Sequence, residues 1–81
     1  MSSEYKVQSV LFSREHFNKK QAETWLVENG YQVKKLDISK NYLRYRQLDP
    51  SYMQKLGLTE YHNKKLGNGH IELVIGYKKK T

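Results

Sequence analysis

The chain lacks cysteine entirely and has one proline among its 81 residues. Without cysteine there is no disulfide framework, no thiolate nucleophile and no thiolate metal ligand, a composition typical of a reducing compartment. No apolar run approaches the roughly 20 residues that a membrane-spanning helix requires, and residues 1–5 do not resemble the start of a signal peptide. These absences predict a cytoplasmic protein that is not secreted and has no membrane partner.

Acidic residues are scarce relative to basic ones. Fifteen Lys and Arg against eight Asp and Glu give a formal net charge of +7. Residues 1–40 carry seven basic and five acidic groups, whereas residues 41–81 carry eight and three, so the excess lies mainly in the second half. A basic domain attracts nucleic acid, anionic lipid and acidic protein surfaces alike. The length allows one domain, which we place at residues 1–77, followed by a basic tail at 78–81.

One helix is well specified by its termini. Asn18 has the side chain of an N-cap, and Gln21 three positions later completes a variant of the capping box, so the helix should begin directly after Asn18. Apolar residues then recur at helical spacing around Trp25, which we assign to the core. Gly30 should end the helix in a left-handed conformation, with Tyr31 folding back as in a Schellman motif.

Four segments have the composition of strands. Residues 5–13 are rich in β-branched and aromatic side chains, with a change of parity that indicates a bulge near Ser9. Residues 31–38 and 42–48 should form an antiparallel hairpin, and residues 70–77 alternate as a core strand.

The connection between the third and fourth strands is less regular. One short helical turn at residues 51–56 should be capped by Ser51 and ended by Gly57. Residues 58–69 show no periodicity, so we interpret them as a functional or disordered loop. The predicted fold is therefore α+β: a four-stranded, mainly antiparallel sheet with one helix packed on one face, in the order β-α-β-β-loop/short helix-β.

The third predicted strand carries the candidate binding surface. Read at period two, it sends Tyr42, Arg44 and Arg46 to one side and Leu43 and Tyr45 to the other, which is the better core side. Guanidinium groups match phosphate oxygens, and a tyrosine ring offers a plane on which a base can stack. We therefore predict that Tyr42, Arg44 and Arg46 bind nucleic acid on the sheet face opposite the helix.

Further cations extend this candidate surface. One pair, Lys34 and Lys35, lies at an irregularity of the second strand, and another, Lys64 and Lys65, lies in the unpatterned loop. The C-terminal tail adds Lys78, Lys79 and Lys80. The alternative for the arginines is a solvated strand face on which they pair with acids of neighbouring strands, such as Asp37 or Glu72.

Nothing in the sequence specifies a reaction. The three histidines, His16, His62 and His70, do not have the spacing of a zinc site, and no nucleophile elbow or glycine-rich phosphate loop is present. We expect no enzymatic activity, no metal and no cofactor.

Three segments carry a resemblance to a known group of domains. They are residues 21–31, with the pattern Trp-Leu-x-x-x-Gly-Tyr, residues 41–50, with Tyr-x-Arg-Tyr-Arg-Gln, and residues 69–76, ending in Ile-Gly. Together they resemble a small uncharacterised α+β domain found in proteins of tailed bacteriophages and large DNA viruses. The resemblance implies the same fold and a viral or phage source, in which case the protein would act inside the host cell, and it transfers no catalytic residue.

Two functions are compatible with this sequence. The first is a small basic accessory protein that binds DNA or RNA through the phosphate backbone with weak sequence selectivity. The alternative is a protein-interaction module that binds an acidic host or virion protein through the same basic face or by strand addition at a sheet edge.

Overall fold

The computed structural model describes residues 4–78, which form an α+β fold of five strands and two helices. In chain order the elements are β1 (Tyr5–Ser13), α1 (Lys19–Glu28), β2 (Lys35–Ile38), β3 (Tyr42–Arg46), α2 (Pro50–Lys55), β4 (Leu58–Leu66) and β5 (Ile71–Lys78). The α+β class is confirmed, but the predicted number of strands is wrong by one, and there are two helices rather than one. The helices of the described residues are too short to cross a membrane.

The strands form one sheet in the order β2-β3-β1-β5-β4, with every neighbouring pair antiparallel. β1 is the central strand, flanked by β3 and β5, and β2 and β4 are the edges. The β2–β3 hairpin was predicted, although β2 is shorter than expected and begins at Lys35. The last strand runs one residue past its predicted end, so Lys78 belongs to β5 rather than to a tail.

The strand that the sequence does not predict is β4, because the pattern of its residues indicates a loop. Its residues from Glu60 to Lys65 are all exposed, because β4 is an edge strand with a polar residue at nearly every position. Alternation of polar and apolar residues marks a strand only when one face is buried. β4 is instead held by its pairing with β5, which the local sequence does not reveal.

The first helix begins and ends as predicted. The Asn18 side chain accepts from the Gln21 backbone amide at 2.8 Å, and the Gln21 side chain accepts from the Asn18 amide at 3.0 Å. At the other end Gly30 has φ +80°, and the Tyr31 amide donates to the Leu26 carbonyl at 2.8 Å, as in a Schellman motif. These local hydrogen bonds satisfy backbone groups that the helix termini would otherwise leave unpaired.

The core lies between α1 and one face of the sheet. It is built from residues of all central elements: Val10, Phe12, Ala22, Leu26, Leu43, Tyr45, Ile71, Leu73 and Ile75. Trp25 packs edge-on against Phe12 at 5.6 Å and stacks on Tyr31 at 5.8 Å between ring centroids. Trp25, which was predicted to be a core residue, is partly buried and packs against the core cluster.

The second helix packs on the opposite face of the sheet, which we call the second face. Gly76 follows Ile75, a core residue on the α1 side, so a side chain at position 76 would point to the second face. There it would meet the Met53 methyl group of α2, and Met53 is fully buried. The N-cap of α2 is Asp49, with Pro50 at the first helical position, rather than the predicted Ser51. One end of the second face is thus covered.

Candidate nucleic-acid interface

The third strand has the predicted alternation. Leu43 and Tyr45 are 5% and 0% exposed in the core, whereas Tyr42 and Arg44 are exposed and Arg46 is half-buried on the second face. Tyr45 donates from its hydroxyl to Glu23 of α1 at 3.3 Å. Burial, followed by the nearby Glu23 charge and this hydrogen bond, raises the pKa of Tyr45 to about 12. The candidate surface therefore lies opposite α1, as expected.

Arg46 is engaged by two carboxylates. Its Nη2 lies 3.1 Å from Asp37 of β2, and its Nη1 lies 3.7 Å from Asp49. Lys35 also contacts Asp49, at 3.1 Å. Two cations and two acids therefore form one compact neutral cluster, and the pairing of Arg46 with Asp37 is the alternative that the sequence left open. Arg46 and Lys35 are less available to an anionic ligand than Arg44.

Arg44 belongs to none of the ion pairs among residues 4–78. Its Nε donates to the Ser9 hydroxyl at 3.2 Å, and its Nη2 donates to the Gln8 side-chain oxygen at 3.2 Å. A guanidinium group has five N–H donors, so three remain after these two bonds. Arg44 is therefore held in one orientation by neutral partners. Asp37 lies opposite it on β2 but forms its ion pair with Arg46.

The partners of Arg44 come from an irregularity in β1. The register of β1 against β5 shifts between Val7 and Ser9, which leaves Gln8 as the extra residue of a bulge, as predicted near Ser9. Gln8 and Ser9 are buried, and their side chains are hydrogen-bonded to each other. The Gln8 amide also donates to the Leu48 carbonyl at 2.8 Å. Bulges commonly re-aim side chains beside binding sites, and this one places two polar groups beneath Arg44.

A shallow pocket of about 260 Å³ lies beside the guanidinium group. Its lining is Gln8, Arg44, Pro50, Tyr61 and Val74. Tyr61 comes from β4 and is 43% exposed. The sequence does not predict Tyr61 as a site residue, because a residue in an unpatterned loop cannot be assigned to a face of the sheet. The pocket combines an aromatic side chain with a guanidinium group that forms no ion pair among residues 4–78.

The two lysines of β4 lie on opposite faces. Cross-strand pairing connects Arg44 to Leu11, Leu11 to Glu72 and Glu72 to Lys65, so Lys65 shares the second face with Arg44. Three strand spacings place it about 14 Å away. Lys64 pairs with a core residue and lies on the α1 side. The predicted loop is therefore wrong, because these lysines belong to a strand. A role for each lysine in binding stays a prediction.

The remaining predicted cations are Lys34, Lys78, Lys79 and Lys80, of which the structure describes the first two. Lys34 is exposed in the bend before β2. Lys78 ends β5, six residues and about 20 Å along the strand from the row that contains Arg44. Lys79 and Lys80 lie outside the described residues. The structure thus places Tyr42, Arg44, Lys65 and the ion-paired Arg46 and Lys35 on the second face, and Lys64 on the α1 side.

Two histidines that are distant in sequence meet in the fold. The rings of His16 and His70 stack at 3.5 Å between centroids. Within residues 4–78, no three His, Asp or Glu side chains are grouped closely enough to hold a metal ion.

Comparisons of the chain with protein-family models, with curated proteins and with solved structures found no match. The resemblance to domains of tailed bacteriophages and large DNA viruses therefore stays a prediction from the sequence.

Proposed function

We propose that the protein binds nucleic acid through the second face of its sheet, as a small accessory protein rather than an enzyme. Arg44 and Lys65 would contact phosphates, and Tyr42 and Tyr61 would offer rings to bases. Contacts of this kind follow the backbone and the stacking surfaces of a strand, so sequence selectivity should be weak. The sequence resemblance favours a viral or phage source for such a protein.

The observation that carries this proposal is the hydrogen bonding of Arg44 together with its lack of an ion pair among residues 4–78. Its guanidinium group is oriented by Gln8 and Ser9, two buried neutral partners, and it has no carboxylate partner among the described residues. An arginine kept only for solubility needs no buried network to orient it. Donors that are held in place lose little conformational entropy when they bind an anion.

The position of Tyr61 beside Arg44 favours single strands over duplexes. A base reaches the ring of Tyr61 only when it is unstacked from its neighbours, as in single-stranded DNA or RNA. The guanidinium group in the same pocket can then hold the adjacent phosphate.

A titration of fluorescently labelled oligonucleotides tests this proposal. Single-stranded and duplex DNA and RNA are titrated at two salt concentrations, with Arg44→Gln and, as a control of equal charge change on the other side of the protein, Lys20→Gln. We expect affinity to fall as salt rises, single strands to bind better, and Arg44→Gln to weaken binding about tenfold. Lys20→Gln should have a much smaller effect. Absence of binding at low salt, or equal effects of the two substitutions, contradicts the proposal.

A protein-interaction module is the second candidate function. The observation in its favour is the long exposed edge strand β4, because such edges accept an added strand from a partner. A pull-down after nuclease treatment should return a specific partner if this function is the main one, and the Arg44→Gln variant should retain that partner.

A further inference from the structure

The outer edge of β4 is the largest unpaired stretch of strand in the described part of the chain. β4 has nine residues and pairs only with β5, whereas the other edge strand, β2, has four. The residues from Glu60 to Lys65 are all exposed. Proteins usually shorten, bend, cover or charge such an edge, because its free N–H and C=O groups pair readily with another strand. β4 carries charges at Glu60, Lys64 and Lys65, so a partner strand must match them.

We propose that this edge binds a second copy of the same chain, with the two β4 strands antiparallel and His62 facing its counterpart on the two-fold axis. In this register Glu60 of each copy lies opposite Lys64 of the other, and Tyr61 lies opposite Asn63. The dimer would have two identical Glu–Lys cross-strand pairs. Isologous pairing of this kind closes on itself and leaves no edge of β4 free.

Charge complementarity favours this register over those centred on Asn63, Lys64 and Glu60. Centring the pair on Asn63 places His62 opposite Lys64 and leaves Glu60 facing Leu66. Centring it on Lys64 or on Glu60 places identical charges opposite each other. Like charges directly opposite across two strands are destabilising, whereas opposite charges stabilise the pair. The register centred on His62 gives both Glu60 side chains a cation.

The side-chain directions leave the edge accessible. Glu60, His62 and Lys64 pair with Tyr77, Ile75 and Leu73 of β5, so they lie together on the α1 side of the sheet. The His62 ring packs against Tyr77 at 5.3 Å between centroids, inward from the edge. Joining two five-stranded sheets would make one continuous sheet of ten strands, with both second faces on the same side. The contact is small, so the dimer should form only at high concentration.

Sedimentation of charge variants tests the pairing. The chain of 9.7 kDa should approach twice that mass at about 0.5 mM. Glu60→Lys and Lys64→Glu should each lower the association constant about tenfold or more, because each makes two like-charged pairs. An equimolar mixture of the two variants should recover a dimer, because every cross-strand pair in the mixed species again has opposite charges. Dimers of either single variant as stable as the wild type, or a mixture that stays monomeric, would overturn the proposal.

Single cysteine substitutions test the register. Because the chain has no other cysteine, every disulfide that forms must involve the introduced residue. Directly opposite residues in an antiparallel pair have Cα atoms about 4.5–5.5 Å apart, within the range that a disulfide requires. His62→Cys should therefore cross-link to itself under mild oxidation, and Asn63→Cys should do so much more slowly. Preferential cross-linking of Asn63→Cys, or none at position 62 when the protein is dimeric, overturns the register. Both assays use nuclease-treated protein, so their outcome is independent of nucleic-acid binding.

Discussion

Substitution of Gly76 tests whether α2 covers the second face, and thereby which part of that face is available to a ligand. Gly76 has no positive φ, so alanine is allowed by the backbone. Its new methyl group would overlap the Met53 methyl and lie 3.2 Å from the Leu58 carbonyl oxygen and 3.3 Å from the Tyr61 ring. Overpacking of this kind costs about 1–3 kcal/mol, against about 0.4–1 kcal/mol gained from restricting the unfolded chain. We expect Gly76→Ala to lower the free energy of unfolding by about 1–2 kcal/mol.

The same contact predicts that two substitutions will be non-additive. Met53 is fully buried, so Met53→Ala alone should cost about 2–5 kcal/mol. In the double variant the alanine methyl at position 76 enters the space that the Met53 side chain leaves. The loss of unfolding free energy in the double variant should therefore be smaller, by about 1 kcal/mol, than the sum of the losses in the two single variants.

Urea denaturation followed by circular dichroism measures all four species of this cycle. The slopes of the unfolding curves must agree, so that differences in midpoint report stability alone. A Gly76→Ala variant as stable as the wild type, together with single effects that add within error, would mean that α2 does not lie over Gly76. The described shape of the second face would then be wrong.

Three further predictions test the core, the interface and the helix cap. The pKa of Tyr45 is about 12 in the folded protein and 10.0 in the unfolded chain. The unfolded chain therefore loses this proton first as the pH rises, and the free energy of unfolding should fall between pH 10 and 12 by up to about 2–3 kcal/mol. Tyr45→Phe, which has no such proton, should lose less stability than the wild type over this range in alkaline denaturation. Lys65→Gln should weaken single-strand binding roughly threefold, and Lys64→Gln much less, in anisotropy titrations with monomeric protein; equal effects would argue against a single binding face. Asn18→Ala should lower the free energy of unfolding by about 1 kcal/mol, measured by chemical denaturation, and no change would mean that the cap contributes nothing.

The elements that the sequence predicted correctly are those with local signals. The start of α1 follows from Asn18 and Gln21, whose side chains bond to backbone groups three residues away. The end of α1 follows from Gly30, which adopts the left-handed conformation that glycine tolerates best. The alternation in β3 follows from the burial of Leu43 and Tyr45 on one face. Each of these signals spans only a few residues.

β4 shows where such reasoning stops. An edge strand with two solvated faces has no alternation of polar and apolar residues, and its hydrogen bonds with β5 form between segments that meet only in the folded chain. For the same reason, the sequence does not indicate that Tyr61 lies beside Arg44 or that Lys64 and Lys65 lie on opposite faces of the sheet. The exposed edge, and the pairing with a second copy that we propose for it, depend on β4 being a strand, which no local pattern indicates.

From its local chemistry alone, the chain determined its fold class, the limits of its first helix and the side of β3 on which its arginines lie, because caps, turns and alternation depend on neighbours a few positions away. Tertiary structure decided which arginine of β3 has no ion-pair partner among residues 4–78. Asp37 and Asp49 neutralise Arg46, whereas the bulge of β1 brings buried neutral partners to Arg44. Those partners are 35 and 36 residues away along the chain, and only the pairing of β1 with β3 brings them together.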